Sequence, residues 1–359
     1  MRVALLVKEF PPNVVGGTET QSLRMADALQ SRGHDVTVYT KSYGEATPDD
    51  DHPYDVVRVP NVRSSPFVST LTFVLGATLL LLRDAKRFDV LQCMMVYPNG
   101  FVGYLVSKLR GLPYFAWIRG GDYYFMKDTP GKRWSIDRVL RDTTVLVQGS
   151  DIAADVRSEF DPRDVRVLGN GVALPEGRAD GEDVVFVARL ERWKGLDVLL
   201  DALAGTDRSL TVVGDGPERE SLERQANSLD VDAEFVGLVD PEEVVDYLAD
   251  GRVFVQPSRE GEGLPNTVLE AMAVGLPPVV TDSGGLPDLV TDGETGYIVP
   301  MEDPEAIRER VETLFTDDET HARLSENARE HVEANHSWDA IVDSLEGVYA
   351  DVRAVGGAS

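Results

Sequence analysis

Two cations and two carboxylates form the most distinctive chemical pattern in this 359-residue chain. Arg189 and Lys194 lie five positions apart, between a strand-like run and a helical run. An arginine fork and a lysine point charge on such a loop favour the binding of a diphosphate. The alternative is a pair of solvated surface cations, and it loses weight because the surrounding half of the chain is strongly acidic. The spacing therefore predicts an anion site at this loop.

The two carboxylates are Glu262 and Glu270, which flank the start of a predicted helix. Pro265 suits the first helical turn, so Glu262 falls in the entering loop and Glu270 inside the helix. Eight positions at about 100° each bring the two side chains near the same helix face. One carboxylate can address the hydroxyls of a sugar and the other those of a ribose, while backbone N–H groups near Gly263 and Leu264 would face the phosphates between them. A capping glutamate beside a solvated one is the alternative.

Loop glycines add weaker signals for anion binding. Gly16 and Gly17 follow the first strand-like run, and Gly214 ends another. Glycines let a backbone come close to a ligand, and the free N–H groups of a following helix favour an anion. The spacing Gly-x-Gly-x-x-Gly does not occur at these positions, so no dinucleotide fingerprint is predicted. Taken singly, each glycine is equally well explained as an ordinary turn.

Composition excludes several functional classes. The five histidines have no metal-ligand spacing and Cys93 is the single cysteine, so neither a metal site nor a disulfide framework is predicted. The formal net charge is −27, and residues 176–359 carry 42 acidic against 14 basic side chains. Such a surface repels phosphate backbones, which argues against a nucleic-acid partner. The acidic, lysine-poor composition is typical of adaptation to a salt-rich cytoplasm.

Apolar strand-like runs alternate with amphipathic helical stretches along the whole chain. The predicted strands are 3–7, 35–39, 56–59, 90–94, 114–118 and 144–148 in the first half, and 184–188, 210–213, 233–236, 253–256 and 278–281 in the second. A polar stretch at 173–183 is a plausible linker. The pattern predicts an α/β chain of two tandem Rossmann-like doubly wound domains facing a cleft, with ligands at the carboxyl ends of the strands. The predicted limits are 1–175 and 176–335.

One segment raises the question of a membrane. Residues 64–82 carry no charge, and the favoured interpretation is a buried or interfacial helix. Surface association is a weaker alternative, and a true span is weaker still. No secretory leader is predicted at the amino end, so the expected location is the cytoplasm, with peripheral contact at the inner face of the membrane. Basic and aromatic residues of the first half would support that contact, and ordinary helix faces and core are the alternative: Arg83, Lys86, Arg87, Lys132, Arg133, Arg138, Arg141, Tyr123, Tyr124 and Phe125.

Together these motifs resemble those of glycosyltransferases with the GT-B fold. The shared features are a Gly-Gly-x-Glu opening, Arg-Gly-His-Asp-Val at 32–36, Asn170-Gly-Val, Arg-x4-Lys-Gly, Val-Gly-Asp-Gly-Pro at 213–217, and Glu-x7-Glu followed by Ala-Met-Ala. The chain is most similar to the large retaining group called family 4, or the glycogen-synthase-like group. The similarity covers nearly the whole chain.

The resemblance implies a division of labour between the two domains. The second domain would hold a nucleoside diphosphate sugar as donor substrate, with no further cofactor, and the first would hold a glycan or lipid-linked acceptor. Carried over residue by residue, the resemblance places Arg189 and Lys194 on the diphosphate, Glu270 on the ribose, Glu262 at the donor-sugar hydroxyls and Gly17 near the phosphates. It also implies retention of configuration without a metal. The final segment, 336–359, would cross back to the first domain.

One departure from the family pattern concerns catalysis. Many relatives carry a histidine in a first-domain loop that faces the donor sugar, and the matching stretch here contains Arg119 and Asp122 instead. An arginine does not give up a proton at ordinary pH, so Arg119 would stabilise charge, whereas Asp122 would orient an acceptor. Both remain candidates for the histidine's role.

Two rival functions stay open beside transfer. A sugar-nucleotide epimerase shares the two-domain architecture but lacks the paired cation and carboxylate motifs. A non-catalytic sugar-nucleotide-binding protein is the other rival. A degenerate site of that kind is expected to have lost a cation or a carboxylate, and all four are present.

Overall fold

The computed structural model describes residues 1–11, 17–44, 52–259 and 263–356. Gly16 and Glu262 therefore lie outside the described residues. Contacts divide the chain into one unit of Met1–Gly171 with Trp338–Ser359 and a second unit of Val172–Ser337. The limits drawn from the sequence were 1–175, 176–335 and 336–359, so the structural division falls four residues earlier at the first limit and two residues later at the second.

In its described part, the first unit contains a parallel sheet of seven strands, ordered β3-β2-β1-β4-β5-β6-β7. The strands are β1 (Arg2–Leu6), β2 (Asp35–Lys41), β3 (Asp55–Val59), β4 (Val90–Met94), β5 (Tyr114–Ile118), β6 (Thr144–Val147) and β7 (Asp164–Val167). The helices are α1 (Gly17–Ser31), α2 (Pro66–Asp84), α3 (Phe101–Arg110), α4 (Gly121–Tyr124), α5 (Pro130–Asp142) and α6 (Ser150–Glu159), with α14 (Trp338–Gly356) at the end of the chain. The order reverses between β1 and β4, as in doubly wound sheets.

Helices cover both faces of this sheet. Along β1, Ala4 and Leu6 join a core with the helices α2, α3 and α5, whereas Val3 and Leu5 join a core with α1 and α14. Successive side chains of a strand point to opposite faces, so a strand buried on both sides must be apolar throughout. This is why the uninterrupted apolar runs of the sequence became strands.

Helix α2 contains most of the uncharged segment of the sequence, and it is buried on one face. Pro66 occupies the first turn and the Ser65 hydroxyl accepts a hydrogen bond from the N–H of Val68, which sets the start of the helix. Phe73 and Ala77 are fully buried in the core of the unit. Among the described residues, one helical stretch, Pro66–Arg87, is long and apolar enough to cross a membrane by length and composition. Its buried face makes it part of the folded unit.

The second unit repeats the architecture with six parallel strands in its described residues, ordered β10-β9-β8-β11-β12-β13. The strands are β8 (Asp183–Val187), β9 (Leu210–Val213), β10 (Ala233–Gly237), β11 (Gly251–Gln256), β12 (Pro278–Thr281) and β13 (Tyr297–Val299). The helices are α7 (Leu196–Leu203), α8 (Arg219–Leu229), α9 (Val244–Ala249), α10 (Asn266–Ala273), α11 (Leu286–Leu289), α12 (Pro304–Thr316) and α13 (Asp318–Asn335). The predicted class, two Rossmann-like α/β domains, is confirmed.

Replacing Gly103 with alanine is expected to lower the free energy of unfolding by about 1–3 kcal/mol. A Cβ at this position of α3 would lie 2.5 Å from the Tyr114 ring and 2.7 Å from the sulfur of Cys93, both of which are buried. Gly347 on α14 is the matched control, because a Cβ there meets nothing within 4 Å. Gly347→Ala should stabilise by up to about 1 kcal/mol through helix propensity. Urea unfolding of both variants checks the prediction, and equal effects at the two sites would contradict it.

Candidate functional site

The loops that follow β8, β9 and β11 lie against one another at the carboxyl edge of the second sheet. A Cβ on Gly214 would lie 2.0 Å from the carbonyl oxygen of Ala188, and one on Gly195 would lie 2.0 Å from that of Pro257. Both glycines also have a positive φ, of 131° and 76°. A residue with a Cβ would be strained at these φ values and would clash with the neighbouring carbonyl oxygen. The two glycines therefore allow the three loops to pack closely against one another.

The strand order places this area at a topological switch point. Strand β8 lies between β9 and β11. The strands β9 and β10 follow on one side of it, and β11, β12 and β13 follow on the other. Open parallel sheets bind their ligands at the carboxyl ends of the strands that flank such a point. Arg189 and Lys194 follow β8, and Glu270 lies on the helix that follows β11. The fold therefore brings the predicted cations and one predicted carboxylate to two neighbouring strand ends.

Arg189 and Lys194 belong to one network on the loop after β8. The Arg189 guanidinium, three-quarters exposed, lies 2.7 Å from a carboxylate oxygen of Glu191. The other Glu191 oxygen accepts a hydrogen bond from the Trp193 indole N–H, and the Lys194 ammonium lies 4.2 Å from the centre of the Trp193 ring. Glu191 and Trp193 thus hold the two cations on this loop, Glu191 by its ion pair with Arg189 and Trp193 by its cation–π contact with Lys194.

Arg259 ties this loop to the loop that follows β11. Its guanidinium donates to both carboxylate oxygens of Asp197 at 2.7 Å and to the carbonyl of Arg192 at 2.6 Å. Its backbone N–H donates to the carbonyl of Trp193 at 2.8 Å. The hydrogen bonds to Asp197, together with an ion pair to Glu302, hold the pKa of Arg259 above its ordinary value. No role was predicted for Arg259, although the residue stands three positions before Glu262.

The structure describes one of the two predicted carboxylates. Glu270 is half-buried on α10, which begins one residue after Pro265. Leu264 is buried and Gly263 is exposed just ahead of this helix. Glu262 lies outside the described residues, so its place beside Glu270 stays a prediction. The roles of Gly263, Leu264 and Glu270 toward a ligand likewise stay predictions.

In the first unit, Asp122 is buried and organises the loop after β5. One carboxylate oxygen accepts the N–H of Arg119 at 2.8 Å, and the other accepts the N–H of Val96 at 2.6 Å. Burial raises the pKa of Asp122 to about 6, and the two backbone hydrogen bonds and the Arg119 charge oppose that rise. The carboxylate thus joins the loops after β4 and β5.

Arg119 differs from Asp122 in having unused hydrogen-bonding capacity. Burial lowers the pKa of its guanidinium to about 10, which leaves it charged at neutral pH. One amino group donates to the side-chain oxygen of Asn170 at 2.8 Å, while the buried Nε has no hydrogen-bond partner among the described residues. A buried donor without a partner lowers the stability of the folded state.

The other predicted glycine and amide positions also fall in the first unit. Gly17 is exposed at the start of α1, where a Cβ would meet nothing within 4 Å. Asn170 is buried and contacts Arg119, so its observed role is to hold that guanidinium. Direct contact of either residue with a nucleotide stays a prediction.

The first unit also contains an open cavity of about 810 Å³ that was not predicted from the sequence. It lies over the carboxyl ends of β1, β4 and β5, where Lys8, Met95 and Arg119 line it. The amino-terminal half of α2 forms one of its walls. The signal available in the sequence was the uncharged run at 64–82 next to basic residues, but such a run does not show that the folded chain forms a cavity. Among the described residues, no group of three or more His, Cys, Asp or Glu side chains is placed to hold a metal ion.

Comparisons with known proteins agree on the type of protein. Residues 15–175 match the family model described as Glycosyltransferase Family 4, and residues 176–331 match the model described as Glycosyl transferases group 1. A GDP-mannose-dependent alpha-mannosyltransferase of Mycolicibacterium smegmatis is 30% identical over 377 residues, which cover 98% of each chain.

Solved structures show the same fold. Sucrose-phosphate synthase from Thermosynechococcus elongatus superposes with a TM-score of 0.80 at 22% identity, over 99% of both chains. HepE from Anabaena, solved in complex with UDP, gives a TM-score of 0.79 at 18% identity, over 98% of this chain and all of that one. At such identities these two structures support the fold alone. Because the mannosyltransferase aligns along nearly the whole chain at higher identity, the protein belongs to the glycosyltransferases of the GT-B type.

Proposed function

We propose that this glycosyltransferase is a retaining, metal-independent hexosyltransferase of family 4 that uses a nucleoside diphosphate sugar as donor. The observation that carries the proposal is the loop network of Glu191 and Trp193, which holds Arg189 and Lys194 together beside the switch point of the second sheet. Two fixed cations at that place suit a departing diphosphate. A relative that uses GDP-mannose and a fold neighbour solved with UDP are consistent with such a donor.

Transfer requires stabilisation of two charges. When the bond between the anomeric carbon and the diphosphate oxygen breaks, the sugar becomes oxocarbenium-like and the leaving group gains negative charge. Arg189 and Lys194 would stabilise the second charge, assisted by N–H groups of Gly263 and Leu264. The acceptor hydroxyl then bonds to the anomeric carbon on the face that the diphosphate leaves, and its proton passes to a phosphate oxygen. Configuration is retained.

The remaining site residues would position the donor. In the proposal, Glu270 binds the ribose and Glu262 the hydroxyls of the transferred sugar. Gly214 supports this role by allowing close approach of loops, and Gly16 and Gly17 would leave room near the phosphates.

In the proposal, Arg119 takes the charge-stabilising role of the family histidine. Arg119 lines the cavity and its guanidinium stays charged at neutral pH, whereas both Asp122 oxygens already accept backbone N–H groups. Asp122 is then a positioning residue.

The proposed acceptor is a glycan or a lipid-linked molecule, and the proposed location is the cytoplasm with peripheral contact at the membrane. The formal net charge of −27, from 62 acidic against 35 basic side chains, supports a salt-rich setting. Exposed apolar residues on α2 support the membrane contact.

A donor screen at molar salt tests the proposal. UDP, GDP and ADP hexoses are tested first for thermal stabilisation, because a ligand that binds only the native state raises its stability. The stabilising donor is then incubated with the protein and EDTA, and the anomeric configuration of the released or transferred sugar is read by proton NMR. We expect turnover with retention that EDTA does not reduce. Inversion, loss of turnover with EDTA, epimerisation within the donor, or binding without turnover would each contradict the proposal.

A further inference from the structure

The lining of the cavity in the first unit combines apolar and charged side chains. Six apolar side chains come from α2, α3 and the segment after β5: Phe67, Leu71, Val74, Phe101, Phe125 and Met126. Lys8, Arg119 and Lys132 add cations, at the carboxyl edge of the sheet and on α5. A lining of both kinds matches a molecule that has an apolar part and an anionic part.

The two lysines face the same space. The Lys8 ammonium donates to the Thr70 hydroxyl at 3.3 Å. Burial lowers the pKa of Lys8 and the charges of Lys41 and Lys132 act in the same direction, whereas the Glu9 carboxylate opposes that shift. Lys132 itself lies over the sulfur of Met126 at 2.9 Å. A bound anion would offset both the burial of Lys8 and the repulsion between the two ammonium groups.

The acids near these lysines are already engaged. Glu9 forms an ion pair with Lys41 at 3.1 Å, although its second oxygen is buried without a partner among the described residues. Both oxygens of Asp122 accept backbone N–H groups. Three cations and two acids therefore line the cavity, which leaves a small excess of positive charge, part of which Glu9 already offsets at Lys8.

An apolar surface continues from the cavity along the outer face of α2. Phe67, Leu71, Leu75 and Leu79 follow one another at four-residue intervals and are 76%, 46%, 56% and 68% exposed. We call these four residues the outer row of α2. The first two also line the cavity, so the row leads out of it. Contiguous exposed apolar surface of this kind marks an interaction site.

Charge complementarity indicates what covers the outer row. Beyond Leu79, the helix and the turn after it end in the exposed basic residues Arg83, Lys86 and Arg87, of which Arg83 pairs with the buried Asp84. A soluble glycan would leave the apolar row uncovered, and a folded protein partner would leave the cavity and its cations empty. A lipid with an anionic head group would contact both the outer row of α2 and the cations of the cavity, and an anionic bilayer would contact the exposed basic residues.

We propose that this cavity binds the acceptor as an anionic amphiphile taken from a membrane surface, with its charged group at Lys8 and Lys132 and its hydrocarbon chain along Phe67 and Leu71. The proposal rests on the proposed function for the statement that this ligand is the acceptor. The charged end then lies at the carboxyl edge of the first sheet, next to Arg119.

Calorimetric titration with dodecyl phosphate below its micellar concentration tests the site. Dodecyl maltoside and inorganic phosphate are the comparison ligands, because each offers only one half of the proposed recognition. We expect dodecyl phosphate to bind about 10- to 100-fold more tightly than either, since a charge-assisted contact and an apolar contact are both made. Equal affinity for dodecyl phosphate and one of the comparison ligands would overturn the proposal.

Paired variants locate the binding. Leu71→Asp and Lys132→Gln should each weaken dodecyl phosphate binding by about tenfold or more. Leu109→Asp, at a 64% exposed leucine on α3, and Arg138→Gln, at an exposed arginine on α5, are matched controls outside the cavity and should bind as the wild type does. Unchanged binding in Leu71→Asp and Lys132→Gln would overturn the proposal, as would equal losses in the controls.

Flotation with phosphatidylglycerol and phosphatidylcholine vesicles tests the membrane source. The wild type and Leu109→Asp should float with the anionic vesicles, and Leu71→Asp should not. Sedimentation of the same variants tests self-association, and a dimer lost in Leu71→Asp without any change in dodecyl phosphate affinity would assign the outer row to a second copy and overturn the proposal.

Lys194→Ala separates this inference from the proposed function, because it should bind dodecyl phosphate normally. If no nucleotide sugar is turned over but the variants behave as expected toward dodecyl phosphate, the proposed function fails and the amphiphile site stands.

Discussion

Lys194→Ala is expected to lower kcat for sugar transfer by about 30- to 1000-fold, which corresponds to about 2–4 kcal/mol of lost transition-state stabilisation. The Lys194 ammonium lies on the Trp193 ring, on a loop fixed by neighbouring backbone, so its charge is already oriented before a donor arrives. A preoriented cation acts most strongly when the leaving group gains charge. Measurement of kcat at saturating donor and acceptor separates this loss from weaker donor binding.

Arg189 and Arg192 supply the comparison for Lys194. Arg189→Ala should lose activity to a similar extent, because Glu191 binds both Arg189 and Trp193 and so fixes the Arg189 charge on the same loop. Arg192→Ala should leave kcat within a few-fold of the wild type, since the structure uses its backbone carbonyl and not its side chain to bind Arg259. All three variants should show unchanged circular dichroism. Wild-type kcat in Lys194→Ala, or equal losses in all three, would remove the diphosphate assignment.

Strands were predictable where burial on both faces made them uniformly apolar. Runs such as 3–7 and 253–256 correspond to β1 and β11 within one or two residues. Two strands were missed, β7 (Asp164–Val167) and β13 (Tyr297–Val299). Strand β7 is an edge strand with polar alternate positions, and β13 has only three residues. Neither produces a periodic signal that local sequence can separate from a loop.

The exposure of α2 could not be predicted for a different reason. Phe67 and Phe73 are equally apolar in the sequence, yet one is largely exposed and the other is fully buried. Which side faces inward depends on the sheet against which the helix packs. Contacts such as that between Arg259 and Asp197, which join residues 62 positions apart, are tertiary in the same sense. The spacing of Arg189 and Lys194 was visible because both belong to one loop.

Arg119→Gln is expected to reduce kcat by about 100- to 1000-fold, whereas Asp122→Asn should have a smaller effect at pH 8. Glutamine removes the charge of Arg119 while retaining a donor for Asn170, its partner at 2.8 Å. Asparagine at 122 keeps one acceptor for the two N–H groups that Asp122 now binds, so the loop is loosened but Arg119 stays charged. The reverse order of the two effects would assign the histidine's role to Asp122.

The pH dependence of the same two variants separates a positioning role of Asp122 from a purely structural one. Because the pKa of Asp122 is raised to about 6, the carboxylate becomes protonated below that pH and the acceptor for one backbone N–H is lost. Wild-type kcat should therefore fall as the pH drops through about 6, and kcat of Asp122→Asn should lack that step.

The free energy of unfolding should depend on pH in the opposite direction. A raised pKa in the folded state means that ionisation destabilises it, so the unfolding free energy of the wild type relative to Asp122→Asn should fall as the pH rises from 3.8 to about 6. If the stability difference changes over this range while the step in kcat is shared by the variant, Asp122 has only a structural effect, and another group titrates in catalysis.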